Sequence, residues 1–156
     1  MESRQVLLLL FKFRIISNLV EILKILSGFS LTTSNVLDAW ILANESENKD
    51  LMKECVPLII KQIDTLINND DFCSKTRFEG MRVLLANWHN EDMVEEVKLR
   101  AITAWIDGGS THDEQKRRTH HFIDFLPTLD LSKLSSTFVH NLTDGEIDFE
   151  MPDSCW

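Results

Sequence analysis

The sequence is poor in the residues that punctuate a chain: five glycines and three prolines in 156 residues. An all-β fold needs many tight turns built from such residues, so that class is disfavoured. Neither GxGxxG nor GxxxxGK occurs, which removes the two commonest glycine-rich phosphate cradles. Cysteine is scarce as well. Cys55, Cys73 and Cys155 have no CxxC spacing and cannot make a complete disulfide set, which suits a reducing compartment, the cytoplasm or nucleus. No apolar run is long enough for a membrane span. Val6–Phe11 is six residues long, is followed by Lys12 and Arg14, and lacks a small-residue cleavage site. Basic charge is also in deficit, 16 Lys and Arg against 25 Asp and Glu, for a formal net charge of −9. Without a basic stripe to neutralise phosphates, nucleic acid is disfavoured as a partner.

What is present is ordinary globular material, 44% hydrophobic and 26% charged. The length suits one domain. The acids gather at the C-terminus, where residues 143–156 hold five acids and no base, so that segment is expected to be loosely ordered. Asn44-Glu45-Ser46 and Asn141-Leu142-Thr143 match the glycosylation sequon and are read as chance in a cytoplasmic chain.

Apolar residues recur at helical spacing almost throughout. A first helix is expected over about Ile15–Leu26, stopped by Gly28. Thr32-Thr33-Ser34 offers an N-cap for a second, with Val36, Leu37, Trp40, Ile41 and Ala43. A third, about Asn48–Ile67, carries the clearest stripe, including Leu51, Cys55, Ile59 and Ile63. Pro57 predicts a kink or a restart within it, and Asn68–Asp71 its end. Further helices are expected over Lys75–Ala86 and Asp92–Ile106, the latter with an Asp92/Glu95 capping pair and a break at Gly108-Gly109. Thr111-His112-Asp113-Glu114 is a capping box opening a helix to Leu126, which Pro127 ends. A short helix near Ser135 carries Phe138, Val139 and Leu142. The expected fold is all-α, built of antiparallel helix pairs sharing one core, with Trp40, Ile63 and Trp105 pointing inward.

Chemistry-bearing patterns are few. His120 and His121 with Asp124 invite a metal reading, but two further ligands are missing from the pattern. His120 is read as an exposed partner of Asp124, and His121 as a partly packed ring. The His112-Asp113 dipeptide also marks an all-α class of metal-dependent phosphohydrolases, for which His89 and Asp144 are the available additional ligands. A helix-start role explains Asp113 equally well. There is no GxSxG elbow, and no cysteine has a neighbouring histidine. Lys116-Arg117-Arg118 reads as a solvated face or a local contact for an acidic partner. No catalytic residue, cofactor-binding residue or metal ligand is assigned.

Three blocks are more specific together than singly. They are Asn35 to Ala43, followed by Leu51, Cys55 and Ile59; Leu99 to Ile106; and Arg117-Arg118 through Phe125-Leu126 to Leu129–Leu134 and Phe138. Their order resembles the BACK domain, the helical region between the BTB and kelch parts of kelch-like adaptors, over about residues 35–142. The first block is similar to that family's Asn-x-Leu-x-x-aromatic-x-x-Ala start, and the second to its aromatic-x-Ala-Val-x-x-Trp-Val helix. Leu19–Thr33 resembles the end of a BTB region, so the expected division is 1–34, 35–142 and an acidic tail 143–156. Pro57 and Lys98 depart from the family pattern.

The resemblance implies a non-catalytic interaction domain of a substrate adaptor for cullin-RING ubiquitin ligases. Its first helices, around Leu19–Leu26 and Val36–Ile60, would contribute a hydrophobic groove for cullin three. Binding is expected to be weak, and the chain monomeric, without the BTB part that dimerises. Many kelch-like proteins associate with actin, so a stand-alone cytoskeletal interaction module is the alternative, and the metal phosphohydrolase a remote one.

Overall fold

The computed structural model describes residues 30–88 and 95–143. The expected first helix, His89, Asp92, the acidic segment beyond Thr143 and Trp156 lie outside these residues. Within them the chain is all-α, with no strand. In order come α1 (Val36–Glu45), α2 (Lys49–Lys61), α3 (Ile63–Leu66), α4 (Asp70–Lys75), α5 (Phe78–Ala86) and α6 (Glu95–Asp107). They are followed by α7 (His112–His120), α8 (Phe122–Phe125), two 3-10 turns (Leu126–Thr128 and Leu131–Lys133) and α9 (Ser136–Thr143).

Helix starts follow the polar residues, with two corrections. Asn35, not the Thr-Ser run, occupies the cap of α1, and its side chain turns back to accept from the Thr32 amide at 2.8 Å. Asn48 caps α2 through the Leu51 amide at 3.0 Å. Asn69 caps α4 through the Phe72 amide at 2.9 Å, so the Asn68–Asp71 run opens a helix as well as closing one. The helix expected over Lys75–Ala86 starts only at Phe78, after Thr76 and Arg77 in extended conformation, and α4 is an additional helix ahead of it.

Pro57 lies inside α2 without ending it. It is exposed, and the carbonyl it leaves without a donor belongs to the exposed Lys53. The restart comes later, at Gln62, whose side chain donates to the Thr33 carbonyl at 3.1 Å. Between α1 and α2 the chain closes by the Schellman pattern: Asn48 N–H donates to the Ala43 carbonyl at 2.9 Å, and Glu47 N–H to that of Asn44. Glu47 fills the left-handed position at φ 55°, where glycine is the residue without a steric penalty.

One core joins α1 to α6 with Phe125 of α8. α1 packs on α2 and α4, α2 on α5, and α6 on α4 and α7. Trp40, Ile63 and Trp105, at 0%, 1% and 2% exposure, all lie in this interior, as the periodicity requires. Cys55 is buried there too. The two inward indoles converge on one residue: Trp40 Nε1 donates to Thr76 Oγ1 at 2.8 Å, and Trp105 Nε1 to the Thr76 carbonyl at 2.7 Å. A buried indole N–H without a partner costs about 1–3 kcal/mol, so this one extended residue relieves two penalties. Trp88 is buried as well, and its Nε1 finds no partner among the described residues.

At the surface, Glu79 of α5 joins two helices, accepting from Lys49 at 2.7 Å and from Arg82 at 2.8 Å. The Arg82 and Lys49 hydrogen bonds pull its carboxyl down to about 2. The stability this carboxylate adds is therefore present above its ordinary value of 4.5 and lost as pH falls from there through about 2. A carbon-detected NMR titration is expected to place the Glu79 midpoint near 2. Arg82→Ala should move it back toward 4.5, and an unshifted midpoint in the unmodified protein would contradict the geometry.

Candidate functional site

The feature that organises the middle of the molecule is Arg118 on α7. It was expected on a solvated face, yet it is 5% exposed. Its Nη1 donates to the Cys73 carbonyl at 2.8 Å and also to the Trp105 carbonyl. Its Nη2 donates to the Ser74 carbonyl at 2.9 Å and to Glu114 Oε1 at 2.7 Å. Those carbonyls belong to the last turns of α4 and α6, where backbone acceptors have no intrahelical donor. One guanidinium thus caps two helix C-termini, where the helix dipole also favours a cation. The plane lies over the Trp105 ring, 4.8 Å from its centroid.

Arg118 is held from its own helix by the expected capping box, with one adjustment. The Glu114 amide donates to Thr111 Oγ1 at 3.2 Å, while the Glu114 carboxylate accepts from the Ser110 amide at 3.0 Å, one residue further back than in the reciprocal box. Burial alone would raise the Glu114 carboxyl. Hydrogen bonds from Arg118 and Ser110, with the charges of Arg118 and Arg117, hold it below its ordinary value. Glu114 stays ionised and keeps Arg118 aimed inward.

Around this hub opens a cleft of about 400 Å³, bounded by Glu45 at the end of α1, the Ser74–Phe78 segment, Trp105, Glu114, Arg117 and Arg118 of α7, and His121. Lys75, Arg77, Arg117 and Arg118 line it, against the carboxylates of Glu45 and Glu114. Its apolar wall is Phe78, on which the His121 ring stacks with centroids 4.1 Å apart.

The histidine expectations are partly reversed. His121, the partly packed ring, also takes the carboxylate, with Nδ1 3.0 Å from Asp124 Oδ2. His120 is exposed and is not the partner of Asp124. The i, i+4 argument assumed one continuous helix, but the chain breaks at His121 between α7 and α8, and the register shifts. His112 and Asp113 stand exposed in the first turn of α7. Their nominated companions His89 and Asp144 lie outside the described residues. Among the described residues, no three His, Cys, Asp or Glu side chains are grouped to hold a metal ion.

The setting of Cys73 favours the neutral thiol. Burial pushes its thiol up and Asp70 adds to the rise, while Arg118 opposes it, and its Sγ donates to the Ile67 carbonyl at 3.3 Å. Asn44 of the first sequon is fully buried. Its Nδ2 donates to the Trp40 carbonyl and its Oδ1 accepts from the Arg77 amide, both at 2.9 Å, which leaves no room for a glycan in this fold. Lys98 is half-buried, 2.8 Å from the buried Glu95, whose other oxygen accepts from the Asp130 amide at 3.2 Å. This pair anchors the loop before the second 3-10 turn to the start of α6.

Fold and site define, over the described residues, an all-α protein with one hydrophobic core and a buried arginine beside it, and none of the described helices is long and apolar enough to cross a membrane. No family model matches the chain, and neither a curated protein nor a solved structure does.

Proposed function

We propose that this chain is a non-catalytic interaction domain of the BACK type, working as a spacer and docking surface in a cullin-RING ubiquitin-ligase adaptor. The observation that carries the reading is the placement of its three characteristic blocks. Asn35–Ala43 leads into and forms most of α1, Leu99–Ile106 lies in α6, and the third block runs from Arg117 through α7, α8 and both 3-10 turns to Phe138 in α9. The first two and the Phe122–Leu129 part of the third reach one core, while Leu131 is exposed. In such an adaptor the helices serve by being rigid, setting the distance between a dimerising part and a substrate-reading part. A guanidinium that locks α4, α6 and α7 together suits that task. Leu37, Leu42 and Leu58 stand half-buried on α1 and α2 and offer apolar contact on the helices expected to meet cullin three.

Affinity of the domain alone is expected to be weak, because the larger part of the binding surface belongs to a BTB module. The test is a pull-down of purified cullin three with this chain fused behind a BTB domain that does not retain cullin by itself. Retention by the fusion supports the adaptor role, and no binding even after fusion removes it. Co-sedimentation with filamentous actin in the absence of ubiquitin transfer would assign the cytoskeletal role instead.

A further inference from the structure

The cleft beside Arg118 is not used by the adaptor reading, and its chemistry runs against that of the whole molecule. In a chain of net charge −9, four cationic side chains line it against two carboxylates. Arg118 is fully committed to carbonyls and to Glu114, so it shapes the floor and adds field without being free to bind. The other cations are differently placed. Arg77 meets Glu47 at 3.1 Å with 49% of its side chain exposed, and Lys75 meets Asp71 at 2.8 Å with 46% exposed. Exposed pairs of this kind are worth about 0–1 kcal/mol, so an incoming carboxylate can replace either partner at little cost. Arg117 is exposed and has no hydrogen-bonded carboxylate among the described residues. Beside these charges lie the half-buried Phe78 ring, in contact with Phe125 at 5.3 Å between centroids, and the His121 ring stacked on it. The cleft, about 400 Å³ and open to solvent on one side, has room for a few side chains of a docked segment.

We infer that this cleft is a docking site for a short acidic segment of another protein, its carboxylates meeting Arg77 and Arg117 and an aromatic side chain lying against the stacked Phe78–His121 pair. Arginine fits the role because its planar fork takes a carboxylate in two parallel hydrogen bonds. This inference stands apart from cullin binding, and neither depends on the other.

The experiment is fluorescence anisotropy of the full chain with a labelled peptide of alternating Glu and Asp around one Phe. The comparison peptide replaces the acids by Gln and Asn. The acidic peptide is expected to bind, with added salt weakening it. The double variant Arg77→Glu, Arg117→Glu should weaken binding by about tenfold or more, since charge-assisted pairs become repulsive. Lys53→Glu on the exposed face of α2, away from the cleft, should leave it within about twofold, as expected for a screened distant charge. Melting curves check that the variants fold, which is expected because both arginine side chains are exposed or half-exposed. Equal affinity for the neutral peptide, or no loss in the double variant, would overturn the proposal. So would tighter, Arg117-dependent binding of an oligouridine RNA. Peptide uptake only after removal of residues 144–156 would give the cleft to this chain's own acidic segment and overturn it too.

Discussion

Arg118→Met is expected to lower the unfolding free energy by about 3 kcal/mol, through the loss of a buried hydrogen-bonded cation. Methionine keeps the stem that packs along α7 but offers no donor. The Cys73, Ser74 and Trp105 carbonyls lose their guanidinium partner, and Glu114 loses its counter-charge. Each unsatisfied buried carbonyl costs about 1–3 kcal/mol, and water entering from the adjoining cleft recovers part of it. For a domain of this size a loss of 3 kcal/mol lowers Tm by roughly 10 °C, read by urea and thermal unfolding.

Arg118→Lys separates charge from geometry. An ammonium restores the cation but cannot reach two helix ends and a carboxylate in one plane, so it should recover less than half of the loss. Full recovery by lysine would mean that field, not the forked hydrogen bonds, holds α4, α6 and α7 together. A methionine variant as stable as the parent would remove Arg118 from the account of the fold.

How this residue escaped the sequence reading is instructive. Read as one continuous helix, Arg118 shares a face with Phe122 and Phe125, four and seven residues on; the break at His121 interrupts that register, and the carbonyls it caps account for its burial. The charge outweighed the register, because a basic tripeptide is usually solvated. Periodicity did reveal Trp40, Ile63 and Trp105, since burying an apolar stripe leaves a mark at every third or fourth position. Helix stops at Gly108-Gly109 and the start at Thr111 were equally legible, being local backbone chemistry.

Asn68–Asp71 misled because Asn and Asp both break a helix and cap the next, and the pattern does not say which. Thr76 had no local signal at all. Its importance comes from Trp40 and Trp105, 36 and 29 residues away, and partners at that distance leave no periodic trace. The candidate site shares this fate: its cations come from two separate stretches of the chain, Lys75 to Arg77 and Arg117-Arg118, and only folding puts them around one cleft.

Gly80→Ala, a substitution that normally strengthens a helix by about 1 kcal/mol, is expected here to destabilise by about 2–3 kcal/mol. Gly80 is buried in α5, and a methyl group there would collide with the side chain of Asn44, whose Cγ would lie 2.9 Å from the new Cβ. Asn44 has nowhere to retreat, because it is fully buried and holds the Trp40 carbonyl and the Arg77 amide. Displacing it breaks both bonds and leaves the start of α5 without its acceptor. The nearest atoms to the added methyl all belong to the Asn44 amide, which makes a double-mutant cycle decisive. Asn44→Ala should be destabilising alone, by about 1–3 kcal/mol for the lost buried hydrogen bonds. On that background Gly80→Ala should turn neutral or stabilising, since the obstacle is gone and only helix propensity remains. Additive losses in the cycle would show that α5 tolerates no side chain at this position whatever faces it, and that Asn44 and Gly80 are not the paired contact on which the α1–α5 junction rests.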